Sequence, residues 1–151
     1  MQSESKLDEY HAEADRIVAE TVALIPPELI DNVGFSESEP RSGAAILGTD
    51  DPNDPAWWQA REDLNLVSET DASADAAAAI ASGLNADGWR ESRVRMTQEG
   101  ARIADGFRKD LDGEGWYIEV TWVMTRPDKA EVIEVLVVSP QTVRGDHDVP
   151  S

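Results

Sequence analysis

Apolar residues recur at every third or fourth position between Ser5 and Ile25, which is the repeat of one face of an α-helix. The stripe consists of Leu7, Tyr10, Ala14, Ile17, Thr21, Leu24 and Ile25. Asp8 and Glu9 lie in the first turn, where the helix dipole favours anions, and the following proline pair cannot continue a helix. The pattern therefore predicts an amphipathic first helix.

Three later segments alternate between apolar and polar residues, which is the period of a half-buried strand. They are residues 57–67, 116–125 and 131–138. The turn-forming run Arg126-Pro127-Asp128-Lys129 joins the last two, so we expect an antiparallel hairpin there. A further strand is predicted from Trp89 onward, after an alanine-rich helix that begins at Asp71 and ends near Asn85.

Residues 99–111 fit two different structures. A four-residue repeat of apolar side chains favours a helix. The residues of that repeat are Ile103, Phe107 and Leu111. The run from Asp110 to Gly115 instead indicates a hairpin turn that follows a strand over residues 101–109. We favour the hairpin, because glycines within the segment weaken a helix.

These elements predict one α+β domain over residues 1–138. We expect an antiparallel sheet of four to six strands with two helices packed on one face and the other face largely solvated. Residues 28–56 are rich in turn-forming residues, and a short strand is predicted there over residues 43–48. Residues 139–151 are predicted to form a polar C-terminal tail.

The chain carries 31 acidic residues against 13 basic ones, which gives a formal net charge of −18. Residues 1–75 hold 18 acids and 4 bases, whereas residues 76–151 hold 13 acids and 9 bases. Such a field repels phosphate backbones and anionic membrane surfaces, so no nucleic-acid partner is predicted. The acid excess serves either solubility or the recognition of a basic protein partner.

The sequence contains no cysteine and two histidines, which restricts its chemistry. Disulfides, thiol catalysis and thiolate metal sites are excluded for this chain. No pattern brings a nucleophile, a base and an orienting group together, so we predict no catalytic residue, no enzyme activity and no cofactor. No apolar run approaches the roughly 18 residues of a membrane helix, so membrane association would need a lipid anchor.

The adjacent Trp57 and Trp58 are the candidate ligand-binding residues, because tryptophan can stack on a sugar or a peptide. Neighbouring residues of a strand point to opposite faces, which places one of the two in the core. An exposed platform and a core position are therefore the alternatives for these side chains.

Asp110, Asp112 and Glu114 are the candidate calcium ligands, because they match the first half of a calcium-binding loop. The twelfth position of that loop should be a bidentate glutamate and is Thr121 instead. A second acidic loop, over residues 50–54, offers the same oxygen ligands or a plain exposed turn.

Two further polar features each allow a structural and a functional interpretation. His11 lies beside the apolar stripe of the first helix and is interpreted as a solvated histidine. Arg90, Arg93 and Arg95 form the densest positive cluster of the chain. This cluster predicts either an anion site or a solvated face that is paired with nearby carboxylates.

Four short motifs resemble small secreted lipoproteins of actinobacteria. They are Trp57-Trp58, Gly88-Trp89, the strand from Trp116 to Trp122, and Ser139-Pro140, and the resemblance spans most of the chain. It implies an amphipathic first helix, a tryptophan-led strand, a second helix that ends in Gly-Trp, and a closing meander. It also implies a lipobox cysteine ahead of Gln2, and hence a lipid-tethered domain in the cell envelope.

The resulting hypothesis is a non-catalytic cell-envelope binding or accessory domain, the soluble part of a lipoprotein, whose partner is an unknown protein or surface ligand. The alternative is a cytoplasmic immunity-type or inhibitory protein whose acidic surface binds a basic protein. A third hypothesis, a calcium-dependent module, depends on Asp110, Asp112 and Glu114.

Overall fold

All strands of the described residues join one antiparallel sheet, and both helices pack against it. The computed structural model describes residues 5–42, 55–68, 71–96, 102–123, 131–143 and 145. The helices are α1 (Leu7–Val22) and α2 (Ala72–Ala86), and a short 3-10 turn covers Pro27–Leu29. The strands are β1 (Ile30–Ser42), β2 (Pro55–Leu66), β3 (Arg90–Met96), β4 (Arg102–Leu111), β5 (Glu114–Val123), β6 (Val132–Val138) and β7 (Thr142–Val143).

The main path of the sheet runs β1-β2-β6-β5-β4-β3. The β1–β2 hairpin lies on one side and the β3 to β6 meander on the other, and β6 joins them by pairing with both β2 and β5. β7 adds a short pairing with Pro55 and Ala56 at the start of β2. The predicted α+β class is confirmed, and β7 brings the strand count of the described residues to seven.

The first helix buries the face that the sequence pattern predicts, and the second buries a face of mostly small residues. In α1 the buried residues are Leu7, Tyr10, Ala14, Ile17 and Thr21. In α2 they are mostly small, which lets the helix backbone approach the sheet: Ala72, Ser73, Ala76, Ala77, Ile80 and Leu84. The opposing side of the core comes from alternate residues of β2, β4, β5 and β6: Trp58, Leu64, Leu66, Phe107, Ile118, Val120, Ile133, Val135 and Val137.

The segment over residues 99–111 that fitted two structures forms β4 in its described part, as the hairpin interpretation predicts. A two-residue turn, Asp112-Gly113, connects β4 to β5, and both residues have positive φ angles, 52° and 81°. Position 106 of β4 requires glycine, because the side chain of Tyr117 covers the backbone there. A Cβ atom at position 106 would lie 2.3 Å from the Tyr117 hydroxyl oxygen, so any larger residue would displace that ring.

A backbone N–H group in the first turn of α2 donates a hydrogen bond to a carboxylate from a distant part of the chain. Oε1 of Glu131, which is buried just before β6, accepts a hydrogen bond of 2.7 Å from the backbone N–H of Ser73. The backbone carbonyl of the same glutamate accepts a hydrogen bond of 2.9 Å from Leu66 N–H at the end of β2. Glu131 therefore joins α2, β2 and the start of β6.

Two parts of the structure depart from the sequence pattern. β1 occupies a region that was predicted to be rich in turns, and residues 31–36 of it are all exposed, so it lacks the alternation that marks a half-buried strand. Thr142 and Val143, from the predicted tail, pair in the sheet. The predicted strand over residues 43–48 lies outside the described residues. Among the residues that are described, neither helix is long and apolar enough to cross a membrane.

Candidate ligand-binding site

A cavity of about 300 Å³ opens between α1, the end of α2 and the end of β4. Its floor is apolar and comes from three separate parts of the chain. The floor residues are Ile17, Leu24, Leu84, Trp89 and Leu111. Three of them, Ile17, Leu84 and Trp89, are at least 95% buried, so the floor is part of the hydrophobic core.

The mouth of the cavity carries two cations and two carboxylates. Arg16 Nη1 lies 2.7 Å from a carboxylate oxygen of Glu20, one helical turn away on α1. Lys109 Nζ lies 3.6 Å from the Asp87 carboxylate and donates a hydrogen bond to the Asp87 backbone carbonyl. Arg16 also pairs with Glu13, and that hydrogen bond raises the pKa of the guanidinium above its ordinary value. The mouth therefore carries two cation–carboxylate pairs beside an apolar floor.

The motif Gly88-Trp89 positions the aromatic part of this floor. The N–H of Trp89 donates to the carbonyl of Leu84 at 2.9 Å, and the N–H of Gly88 donates to the carbonyl of Asn85 at 3.2 Å. Gly88 has a φ of 90°, in the left-handed region that favours glycine. This is the hydrogen-bond pattern of a Schellman C-cap, and it turns the chain so that Trp89 packs beneath the end of α2.

A second polar cluster joins α1 to the β1–β2 hairpin. His11 Nε2 lies 3.1 Å from Oδ2 of Asp15, and the hydroxyl of Ser38 donates to Oδ1 of the same carboxylate at 2.6 Å. Nε1 of Trp58 donates to the Ser38 hydroxyl oxygen at 2.8 Å. The imidazole stacks on the Trp58 ring with 4.0 Å between the ring centroids. The histidine that the sequence suggested was solvated is thus held on one side by an aromatic ring.

The connectivity of this cluster differs from that of a serine hydrolase triad. In such a triad the hydroxyl of the serine is bound to the imidazole, which in turn is oriented by the carboxylate. Here Asp15 lies between the other two residues, and the Ser38 hydroxyl donates to it directly. The geometry therefore supports a structural link between α1 and the sheet.

The two candidate tryptophans lie on opposite faces of β2. Trp58 is buried under α1 and is 6% exposed. Trp57 is half-buried on the open face of the sheet, where its Nε1 donates to Oε1 of Gln59 at 2.7 Å. The two rings therefore do not form a joint stacking platform.

The three candidate calcium ligands lie along the β4–β5 hairpin. Asp110 pairs with Gly115 in the strand ladder, and Asp112 occupies the turn. Glu114 accepts hydrogen bonds from the Tyr10 hydroxyl and from the Lys6 ammonium, the latter at 3.1 Å. In the described part of the chain, no group of three or more such side chains is arranged to hold a metal ion. The acidic loop over residues 50–54 lies outside that part.

The arginine cluster lies on the open face of the sheet and gains a fourth member, Arg108 of β4. Arg95 Nη2 lies 3.0 Å from a carboxylate oxygen of Glu119, and the Arg108 guanidinium lies 4.7 Å from the centre of the Tyr117 ring. The described residues provide no ion-pair partner for Arg90, Arg93 or Arg108. The cluster is therefore a local positive surplus on an acidic protein.

Comparisons with known proteins give no match: no family model, no curated protein and no solved structure is similar to this chain. Sequence reasoning missed the cavity, because its floor comes from three segments that are distant in sequence. The Gly88-Trp89 motif is a local feature that could have pointed to it, because it positions Trp89 in the floor.

Proposed function

We propose that this chain is a non-catalytic binding domain that holds a small ligand in the cavity between α1 and α2. The observation that carries the proposal is the pairing of an apolar floor with a charged mouth. Ligand sites in proteins have this composition, with apolar walls that bury the ligand and a few polar groups that orient it. The volume of about 300 Å³ lies at the lower end of the usual range, so the ligand is small.

The chemistry of the mouth narrows the ligand class. Arg16 and Lys109 supply two positive charges, and Glu20 and Asp87 supply two negative ones, so the four groups balance. A ligand with an apolar body and a polar or zwitterionic end fits this arrangement, because its end group can exchange partners with the existing ion pairs. Trp89 adds an aromatic surface for a flat apolar body.

A fluorescent probe tests whether the cavity accepts such a ligand. Anilinonaphthalene sulfonate has an apolar body and one anionic end, and it fluoresces when it leaves water. We expect saturable binding at one site, and NMR amide shifts that cluster on the residues of the cavity. The variant Leu111→Trp should fill the cavity and abolish binding. Leu136→Trp makes the same change on the open face of the sheet and should leave binding unchanged.

The proposal is overturned if the folded protein shows no saturable binding. It is also overturned if Leu111→Trp binds the probe as well as the unmodified chain does, or if the shifts fall on the open face of the sheet. Because Leu111 and Leu136 are both partly buried strand residues, a difference between the two variants reports on position rather than on a general loss of folding.

We further propose that the domain works in the cell envelope as the soluble part of a lipoprotein. Support comes from the resemblance of Trp57-Trp58, Gly88-Trp89 and Ser139-Pro140 to small secreted lipoproteins of actinobacteria. The test is the intact mass of the native protein after separation of membrane and cytosol. A diacylglycerol-modified cysteine ahead of Gln2 in the membrane fraction would support this location, and an unmodified cytosolic chain would refute it.

One observation favours the alternative function, an acidic inhibitor of a basic protein. Both helices carry carboxylates that are exposed to solvent. These residues are Asp8, Glu9, Asp15, Glu20 and Asp75. They would steer a basic partner toward the helical face, with affinity that falls steeply as salt screens the charges. A cytosolic chain and a partner whose affinity drops between low and high salt would favour this function, whereas a salt-insensitive partner would oppose it.

A further inference from the structure

β3 is an edge strand that is exposed along its whole length. All seven of its residues are exposed to solvent, and within the described residues it pairs with β4 alone. An edge strand presents a row of backbone N–H and C=O groups that can pair with another extended chain. This edge is therefore a template on which a further strand can form.

The side chains of β3 alternate in chemistry across the two faces of the sheet. Arg93 and Arg95 pair with Gly106 and Ala104 and lie on the open face. Val94 lies between them and pairs with Asp105, on the side that the helices cover elsewhere. Val94 and Met96 are among the large apolar side chains that remain exposed, at 36% and 58%. The edge thus offers positive charge on the open face and the apolar side chain of Val94 on the other face.

Most of the positive charge of this edge is unpaired within the part of the chain that the structure describes. Arg90 and Arg93 have no ion-pair partner among the described residues, and Arg95 forms an ion pair with the carboxylate of Glu119. The chain as a whole has a net charge of −18, so this edge is a positive exception on a negative molecule. A short acidic segment would meet attraction here and repulsion over most of the remaining surface.

We propose that the free edge of β3 binds an extended acidic segment of a partner protein, which adds to the sheet as a further strand. Backbone hydrogen bonds would give affinity, and alternate side chains would give specificity. Acidic residues two positions apart would face Arg93 and Arg95, and the apolar residue between them would pack on Val94. The recognised pattern is therefore acidic, apolar, acidic, with a third acid placed to reach Arg90.

The same charges disfavour two other occupants. A second copy that continued the sheet through its own β3 would bring the open-face arginines of the two strands together, and like charges that face each other destabilise strand pairing. A nucleic acid would meet the repulsion of the whole acidic molecule. The inference depends on β3 and is independent of the cavity, so either proposal can fail alone.

A synthetic peptide tests the inference directly. The probe is a short fluorescein-labelled peptide that alternates glutamate and valine, and binding is followed by fluorescence anisotropy at low salt. We expect Arg93→Gln and Arg95→Gln each to weaken binding by roughly two- to fivefold, the range that corresponds to an exposed ion pair. Lys6→Gln removes the same charge from the start of α1 and should leave the affinity unchanged.

Two modified peptides separate strand addition from simple charge attraction. One carries N-methyl groups on its odd amides and the other on its even amides, so that only one of them blocks the hydrogen bonds to β3. We expect one peptide to lose binding and the other to retain it. Amide hydrogen exchange of β3 should slow when the unmodified peptide binds.

Equal binding of the two methylated peptides would overturn the inference, because backbone pairing distinguishes them. Competition by inorganic phosphate as strong as that by the peptide would also overturn it, since the arginines would then act as a plain anion site. Unchanged affinity in both arginine variants would place the peptide elsewhere and refute the assignment.

Discussion

The phenol of Tyr10 donates a hydrogen bond to the carboxylate of Glu114, and this contact ties the first turns of α1 to the start of β5. The same carboxylate accepts a hydrogen bond from the Lys6 ammonium at 3.1 Å. The Tyr10 ring is buried and meets Trp116 edge-on, with 5.4 Å between the ring centroids. One of the predicted calcium ligands thus anchors a helix.

This pair makes stability depend on pH at both ends of the scale. The hydrogen bond from Tyr10 holds the pKa of Glu114 below its ordinary value of 4.5. The stabilisation that the ionised Glu114 carboxylate gives to the folded state is therefore present above pH 4.5, and it is lost as pH falls through the lower folded-state pKa. Burial and then the Glu114 hydrogen bond raise the pKa of Tyr10 above its ordinary value of 10.0. The stabilisation that the protonated Tyr10 phenol gives to the folded state is present below pH 10.0, and it is lost as pH rises through the raised folded-state pKa.

Urea denaturation of the unmodified chain and of Tyr10→Phe across this pH range measures the effect. We expect the variant to lose about 1 kcal/mol of unfolding free energy at pH 7, the usual contribution of one hydrogen bond. Its deficit should shrink in acid and at strongly alkaline pH, where the unmodified chain loses its advantage. A deficit that stays constant across the range would contradict the linkage.

Gly106 should tolerate no side chain while Tyr117 is present. Gly106→Ala places a Cβ atom 2.3 Å from the Tyr117 hydroxyl oxygen and 2.9 Å from two ring carbons, so we expect a loss of about 1–3 kcal/mol. Gly115→Ala is the matched control, because its Cβ would meet its nearest neighbour at 3.6 Å, an ordinary contact. Thermal unfolding of both variants and of Gly106→Ala with Tyr117→Ala checks this. The double variant should recover part of the loss, and equal melting temperatures for the two alanine variants would refute the packing argument.

Gly88→Ala should destabilise the end of α2 and move Trp89. An L-residue in the left-handed region costs about 1–2 kcal/mol, whereas asparagine adopts it more readily. We therefore expect Gly88→Asn to lie between the glycine and alanine proteins in unfolding free energy, and affinity for the fluorescent probe to follow the same order. If both substitutions left probe affinity unchanged, the cap would not position the floor of the cavity.

Ser38→Ala should leave the indole N–H of Trp58 without its partner in a buried site. An unpaired buried donor costs about 1–3 kcal/mol, which we expect as the loss of unfolding free energy in urea. Ser36→Ala, an exposed serine on the same strand, should be close to neutral. Tryptophan fluorescence should shift in the first variant and not in the second. Indistinguishable variants would show that solvent satisfies the indole.

The sequence pattern predicts the helices and strands that bury one face and expose the other. The stripe of α1 and the alternation of β5 are visible because Tyr10, Ile118 and Val120 point into one core. β1 is not predicted, because residues 31–36 are all exposed and show no alternation between buried and exposed positions. The hairpin interpretation of residues 99–111 succeeds because turn chemistry at Asp112-Gly113 is local.

The candidate sites are harder to predict, because they depend on long-range packing. Trp57 and Trp58 are adjacent in sequence and separate onto two faces, as strand geometry requires. The cavity brings Ile17 of α1 together with Leu111 of β4, and no local pattern links them. The arginines of β3 were visible as a cluster, but the exposure of the strand edge follows from the order of strands in the sheet.

The position of β6 has a consequence for the order in which the chain can fold. β6 follows β1 to β5 along the chain, yet in the described sheet it is the strand that joins the β1–β2 hairpin to the β3–β5 meander. Glu131, which caps α2, is synthesised just before it. Until that segment emerges, the strands that precede it along the chain form two separate sheets, and the edges of β2 and β5 that later pair with β6 are unpaired. A nascent chain that stalls before Val132 would therefore expose two apolar strand edges to aggregation or to chaperones.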